Sequence, residues 1–358
     1  MTALPERDHT FTVERLGAAD ADRWDAYVHS HPASTTYHRY AWREIFGETF
    51  GYRSFYLLAR DAVGTAMGCL PLFLVRSPFG RRLVAVPFRD RGGILWSHES
   101  AFHAILEEVR DIAAQERASF VELKSITDDY PMPPGMHKHL YWLRSAVDLR
   151  GLDADLLWKK IGSKTRNMIR QAGEASLTFR DLTGDPRAFA IWHDLHLITQ
   201  RRQGLPPFPR VFFRRMIRSL REENGVRVFA VYRAGEPVSA TIVLLHGGTG
   251  IYGYSGSSKA AQQYRPNDFM LFNVMKWLLE NRYREFDLGS DAPAQESLLF
   301  FKRKWLGVQT PIPVYVLGDA DFSLADSSHS RYDLARRVFQ HLPLPVLRAT
   351  GALTRFFG

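Results

Sequence analysis

Residues 40–75 and 211–247 carry the same order of features, and this repetition constrains the fold more than anything else in the chain. Each begins with an aromatic-rich amphipathic helix pattern followed by a glycine, Gly51 in the first and Gly225 in the second. A strand pattern follows (Phe55–Arg60; Val228–Arg233), then a tight turn (Asp61–Gly64; Ala234–Pro237), then a second strand (Ala66–Val75; Val238–His246). Turns of this kind between apolar runs favour antiparallel hairpins. Each copy continues with a third strand (Arg82–Val86; Gly250–Ser255), a helix (Ala101–Gln115; Asp268–Asn281) and another strand (Phe120–Lys124; Glu285–Leu288). Helix, hairpin, strand, helix, strand is an α+β order with a mixed central sheet. A period above about one hundred residues implies duplicated domains rather than a solenoid. The 358 residues suffice for two cores. The expected division is an N-terminal domain over 1–145, a C-terminal domain over 146–318 and a helical tail over 319–358.

Between the copies, Pro131–Gly135 (PMPPG) marks a linker or long loop, and Leu140–Leu149 reads as a strand. Residues 155–173 read as one helix. The tail ends in LPLPVLRATGALTRFFG, where Leu347, Leu353, Phe356 and Phe357 alternate with Arg348 and Arg355. Such a segment suits a membrane interface, with the phenylalanines inserted and the arginines at anionic head groups. Packing against the protein's own N-terminal domain is the other expectation.

The net charge of +9 favours an anionic partner or a basic surface kept for solubility. The single cysteine, Cys69, lies in an apolar run and reads as buried, which suits a reducing compartment. The N-terminus lacks a signal-peptide order, and no window approaches the ~20 apolar residues of a membrane span. The expected location is cytoplasmic, with peripheral membrane contact through the tail as an addition. His31, His38, His193 and His196 show no metal-ligand spacing, so no metal site is expected.

The stretch YGYSGSSKAAQQYRPNDFMLFNVMKW, followed by FDLGSDAPAQESLLFFKRKWLG, resembles the central strand, the helix beside the donor and the closing motif of the FemAB-like acyltransferases, proteins of the GNAT superfamily. IGSKTRNMIRQAGEASLTFR is similar to the basic helix and strand that open the family's second domain. Phe301-Lys302 and Trp305 match the family's Phe-Lys pair and following aromatic; Leu306 then intervenes where the family usually has glycine. The N-terminal HPASTTYHRYAWREIFGETFGYRSFYLLAR and LPLFLVRSPFGRRLVAVPFRDRGG look like a bacterial subgroup that accompanies exosortase (PEP-CTERM) and exopolysaccharide systems. The resemblance implies tandem GNAT-like domains. It also implies transfer of an acyl or aminoacyl group, from acyl-CoA or aminoacyl-tRNA, to an amine of an envelope or exopolysaccharide precursor. No tightly bound cofactor is implied. The rival reading is a non-catalytic scaffold that binds a lipid-linked glycan; an open cleft between splayed strands of the C-terminal domain, reaching Lys302 and Asn267, separates the two.

Several residues carry the expected chemistry. Asn267 after Arg265-Pro266 reads as an N-cap, and a helix N-terminus offers unpaired amides and partial positive charge to a donor phosphate. Lys160, Lys164, Arg166 and Arg170 fall near one another at helical spacing, with no acid from Leu156 to Gln171, and can grip phosphates. Lys302 and Lys304, read as strand residues on one face, are placed to stabilise an oxyanion and to bind donor phosphate respectively. Asp287, at a strand end, is a candidate proton acceptor for the attacking amine, beside the alternative of a buried structural partner. Tyr252 and Tyr254 read as sharing one strand face, with Tyr254 as a candidate general acid.

Overall fold

The computed structural model describes residues 11–78, 80–125, 127–318 and 330–356. The chain sorts into two compact units. Unit 1 comprises residues 1–140, 312–320 and 355–358; unit 2 comprises 141–311 and 321–354.

Unit 1 contains β1 (Thr12–Leu16), α1 (Ala21–Ser30), α2 (Ala41–Phe50), β2 (Arg53–Arg60), β3 (Ala66–Ser77), β4 (Gly80–Ala85), β5 (Leu95–Trp96), α3 (Glu99–Glu116) and β6 (Val121–Lys124). The next strand, β7 (Met136–Asp148), begins in unit 1 and runs on into unit 2. Helix α2 stops at Gly51, whose φ of +71° reverses the chain without a Cβ penalty. Strands β2 and β3 form the expected antiparallel hairpin, flanked by antiparallel β1 and β4. β4 then pairs in parallel with β6. The middle of the hairpin is buried on both faces. On one face, Ile105, Val109 and Ile112 of α3 close a core with Leu57, Leu72 and Leu83; on the other, Trp24, Tyr40, Trp42 and Phe46 pack around Tyr56 and Phe73.

Unit 2 contains α4 (Ala154–Lys160), α5 (Ser163–Glu174), β8 (Leu177–Asp181), α6 (Ala188–Gln203), α7 (Arg210–Glu222), β9 (Val226–Arg233), β10 (Glu236–His246), β11 (Thr249–Ser257), α8 (Pro266–Glu280), β12 (Glu285–Asp291) and α9 (Glu296–Lys304). It also holds the start of β13 (Val308–Leu317), α10 (Ser330–His341) and α11 (Leu344–Ala349). The pairing repeats that of unit 1: β8–β9, β9–β10 and β10–β11 are antiparallel, and β11–β12 is parallel. The last antiparallel partner is exchanged in sequence. β7, which follows β6, pairs with β12, while β13, which follows α9, pairs with β6. Residues 312–318, assigned from sequence to the C-terminal domain, therefore lie in unit 1. The core of unit 2 lies between α8 and the sheet, with Met270, Val274 and Leu278 against Val243, Phe286 and Trp305. The whole is the expected mixed α+β architecture.

Three local expectations are corrected. The single helix over 155–173 is two helices, broken where Ile161 turns extended and Gly162 caps α5. Phe300–Lys304 lies in helix α9, not a strand; the polar loop before it closes in a turn, with the Gln295 amide bonded to the Ala292 carbonyl, and Gln295 then caps the helix. The body of the tail packs on unit 2 rather than on the N-terminal domain: α10 and α11 lie on α6, and Leu347 is fully buried. Phe356 lies partly buried beneath the Arg355 guanidinium, and Phe357 falls outside the described residues.

Candidate active site

Two irregularities in β11 shape unit 2. Parallel pairing with β12 is confined to Thr249–Glu285, Gly250–Phe286 and Ile251–Asp287, although β11 runs on to Ser257 and β12 to Asp291. Beyond Ile251 the two strands diverge into a wedge. In the same place the β10–β11 register slips, with Ile242 opposite Tyr254 and Val243 opposite Tyr252, so Gly253 is an extra residue. A bulge inverts the side-chain alternation after it. Tyr252 and Tyr254 therefore do not share a face. Tyr252 packs on the α8 side with Phe286, whereas Tyr254 enters an aromatic cluster with Trp192, His196 and Phe213. The hydroxyls of Ser255 and Thr241 meet the Tyr252 phenol, and burial raises its pKa, which keeps it protonated.

The head of α8 faces this polar seam. Arg265 takes a left-handed φ of 57°, which ends the turn Ala260–Tyr264 and begins α8 with Pro266 in its first position. The residue before proline avoids the right-handed helical region, and this conformation satisfies that constraint. Asn267 is thus inside the helix rather than its N-cap. Its side chain accepts from the Ser239 hydroxyl at 3.1 Å and donates to Ser257 Oγ at 3.5 Å, tying the helix head to β10 and β11. Asp268, next along, is 8% exposed. Burial raises its pKa, against the opposing charges of Lys304 and Arg265. Its negative charge also reaches Tyr252.

The opposite wall is β12 and α9. Asp287 is fully buried; its Oδ2 accepts from Arg144 Nε at 2.7 Å and its Oδ1 from the Gly289 amide at 2.7 Å. Arg144, on β7, also bonds Glu285. Asp287 thereby locks β12 to β7 and closes the turn at Gly289, whose φ is +82°. Both its oxygens are occupied by these bonds. The Lys302 ammonium lies 2.6 Å from Asp291 Oδ2 and donates to the Gly289 carbonyl at 3.0 Å. Lys302 and Asp291 side chains are only 11% and 10% exposed. Lys302 therefore holds the far end of β12. Lys304, on the same helix, sits over the Phe300 and Phe301 rings at 5.9 and 5.5 Å and bears on Asp268. The helix ends with Leu306 at a φ of 65° and the Gly307 amide bonded back to the Lys302 carbonyl at 3.0 Å, a left-handed C-cap that glycine usually occupies.

The basic residues of α4 and α5 divide. Arg166 turns back onto the carbonyls of Trp158 (3.3 Å), Lys159 (3.2 Å) and Ile161, capping α4. Arg170 stacks over Trp158 at 5.4 Å and bonds Asn167. Lys160 and Lys164 remain on the exposed surface. His193 and His196, on α6, are buried, and burial holds both at about 4. The structure thus brings Arg265, Asn267 and Lys304 to the head of α8, places Lys302 and Asp287 in the β12 wall, and sends Tyr254 to the other face. Asp268 and Tyr252 complete the seam. Asp268 was legible only as a first-turn acid; Tyr252 was hidden by the bulge.

Comparison with known proteins meets this geometry. Residues 159–302 match the model of an acetyltransferase (GNAT) domain. No curated protein sequence matches the chain. Among solved structures, FemX is similar with a TM-score of 0.68 and 15% identity, over 87% of this chain and 99% of its own. The C-terminal domain of a putative lysylphosphatidylglycerol synthetase from Agrobacterium fabrum is similar with a TM-score of 0.57 and 13% identity, over 86% and 94%. A tandem GNAT protein from the clavulanic acid biosynthesis pathway gives 0.54 and 12% identity, over 87% and 100%. The wedge, the bulged strand and the head of α8 all lie inside an acetyltransferase (GNAT) domain match, set in the fold that tandem GNAT-like proteins share.

Proposed function

We propose that the protein is a GNAT-type N-acyltransferase that moves an activated acyl or aminoacyl group to an amine of a cell-envelope or exopolysaccharide precursor. Its main support is the wedge between β11 and β12, which opens beside the head of α8 within the matched segment. The rival scaffold reading predicts a collapsed seam; the pairing that stops at Ile251 and the place of Asn267 at the seam speak against it, while Lys302, turned onto Asp291 and Gly289, does not. Similarity to FemX and to a putative lysylphosphatidylglycerol synthetase supports an aminoacyl donor and an envelope acceptor.

In this reading the donor carbonyl lies in the wedge and its phosphates lie toward Arg265, Lys160 and Lys164. The acceptor amine attacks; a C–N bond forms as the thioester C–S or ester C–O bond breaks. Asp268 takes the amine proton, since a carboxylate with a raised pKa accepts protons better than an ordinary one. The protonated Tyr252 phenol donates toward the departing group. Lys302 acts by positioning the β12 wall. Incubation with acetyl-CoA and, separately, with charged tRNA tests this, using mass spectrometry of an amine acceptor. Acyl transfer lost in Asp268→Asn supports the assignment. Binding of either donor without any transfer to amine or water would return the protein to the scaffold reading.

A further inference from the structure

Between Asp194 and Glu222 the chain has seven arginines and no acid, and after Asp333 it has four more and again no acid. The fold joins these stretches, as far as Thr354, within unit 2. Gly204, at the end of α6, packs so closely on α10 that a Cβ there would lie 2.5 Å from the Arg336 carbonyl. Gln340 donates to the Arg202 carbonyl at 3.4 Å, and Gly351 packs on Pro207 and Phe208. On α7, Arg214 and Arg218 follow one another one turn apart on the exposed side, and Arg336 and Arg337 are exposed on α10. Arg348 lies 3.7 Å from Asp194, and the remaining cations, gathered with so few acids, repel one another unless an anionic surface covers them. The same area exposes Leu205, Val211, Val338, Val346 and Leu353, each at least 40% accessible.

We infer that α7, α10 and the α11 segment form one docking surface for anionic phospholipid. Arginine forks match phosphate oxygens two at a time, while the interspersed aliphatic side chains enter the head-group boundary. Nucleic acid fits less well. Phe208, Phe212 and Phe213 stack on one another, and Phe189 lies beneath Arg210 and Arg214, so these rings are not presented to bases. An enzyme whose acceptor is lipid-linked gains by being held at the membrane; in that purpose alone the inference rests on the proposed function.

Flotation of the full chain decides it, without reading activity. The probes are vesicles of phosphatidylcholine alone and of phosphatidylcholine with about 30% phosphatidylglycerol at low salt. Binding to the second only is expected, weakening as salt rises. The triple variant Arg218→Glu, Arg336→Glu, Arg337→Glu should bind at least about fivefold more weakly for each charge lost. Val211→Ser with Val346→Ser should weaken vesicle binding while leaving binding to bulk tRNA unchanged. Circular dichroism and urea midpoints confirm that the variants fold. Absence of flotation of the wild-type chain overturns the proposal, as does a surface that binds tRNA and loses it in the arginine variant while vesicles stay unbound.

Discussion

The two units share a strand order and differ in what fills the gap between their parallel strands. In unit 1, β4 and β6 pair only at Leu83–Val121 and Val84–Glu122, and the chain then folds its own backbone into the opening. The Gly93 amide donates to the Lys124 carbonyl at 2.8 Å, and Tyr130 Oη donates to the Ile94 carbonyl at 2.8 Å. In unit 2 the corresponding stretch instead forms the turn Ala260–Tyr264 and the head of α8, leaving hydroxyl, amide and carboxyl groups along the seam. A repeated fold thus has one opening bridged by the Gly93 amide and the Tyr130 hydroxyl and one lined by polar side chains. A cavity of about 280 Å³ does lie in unit 1, lined by His31, His38, Arg91, Lys124 and Asp129 among others. Its cations are already engaged: Arg91 pairs with Asp90 at 2.8 Å and Lys124 with Glu122 at 2.6 Å.

The largest expected effect tests the wall of the open wedge. Arg144→Ala leaves the fully buried Asp287 without its cation, and breaking such a pair costs about 3–5 kcal/mol. In unit 1, Lys138→Ala removes the Asp128 pair, whose side chains are 39% and 54% exposed, and should cost less than about 1 kcal/mol. Urea denaturation of both variants measures the contrast. Equal losses would mean that Asp287 is not an anchor of β12.

Sealing of unit 1 comes next. A Cβ at Gly93 would lie 2.4 Å from Tyr130 Oη and 2.7 Å from the Lys124 carbonyl oxygen. Gly93→Ala should destabilise unit 1 by about 2–3 kcal/mol through overpacking, with acyl transfer retained while the protein stays folded. Hydrogen exchange locates the loss; faster exchange in β11 and β12 rather than in β4 and β6 would contradict the assignment.

The units should also part on acidification. His38 in unit 1 and His193 and His196 in unit 2 are all held at about 4 by burial, against 6.5 when unfolded. The unfolded chain takes up these protons first, so stability is intact above 6.5 and falls as pH drops from 6.5 toward 4. At pH 5 the loss is roughly 2 kcal/mol per fully buried histidine, so unit 2, with two, should open before unit 1. Pulsed hydrogen exchange at pH 5 reads the order, and His196→Asn should flatten the slope for unit 2.

The repeat was legible because hairpins write themselves locally: two apolar runs and a turn place β2–β3 and β9–β10 within a few residues of the observed bounds. The exchange of β7 and β13 was not, because the choice of strand partner depends on tertiary neighbours and not on either strand's own pattern. The site was legible as a neighbourhood. The stretch Arg265–Asp268 does form the helix head, but one inserted residue at Gly253 moved Tyr254 to the far face and left Tyr252 in its place. Lys302 matched a motif, yet its helix turns the ammonium onto Asp291 and Gly289. Charge spacing on α4 and α5 missed that Arg166 is used to cap a helix whose carbonyls end at the Gly162 break.

The smallest expected change in stability belongs to Asp268, and it separates the units most sharply in function. Burial raises its pKa in the folded protein above the ordinary 3.8. The sign follows: stability is fullest below 3.8, where the carboxyl is protonated in both states, and is lost as pH rises through the folded value. At neutral pH the buried charge is a cost that Lys304 and Arg265 only partly offset. Asp268→Asn removes the charge and keeps the shape, so it should raise stability at pH 7 by up to about 1 kcal/mol and lose that advantage as pH falls toward 4. If Asp268 accepts the amine proton, the same variant should lower kcat by about a hundredfold or more, with little change in donor binding. A protein that gains stability and loses turnover at one position shows strain held for chemistry. If Asp268→Asn instead loses stability at pH 7 and keeps its turnover, the carboxylate is a cap for α8, and the proton acceptor must be sought elsewhere along the seam.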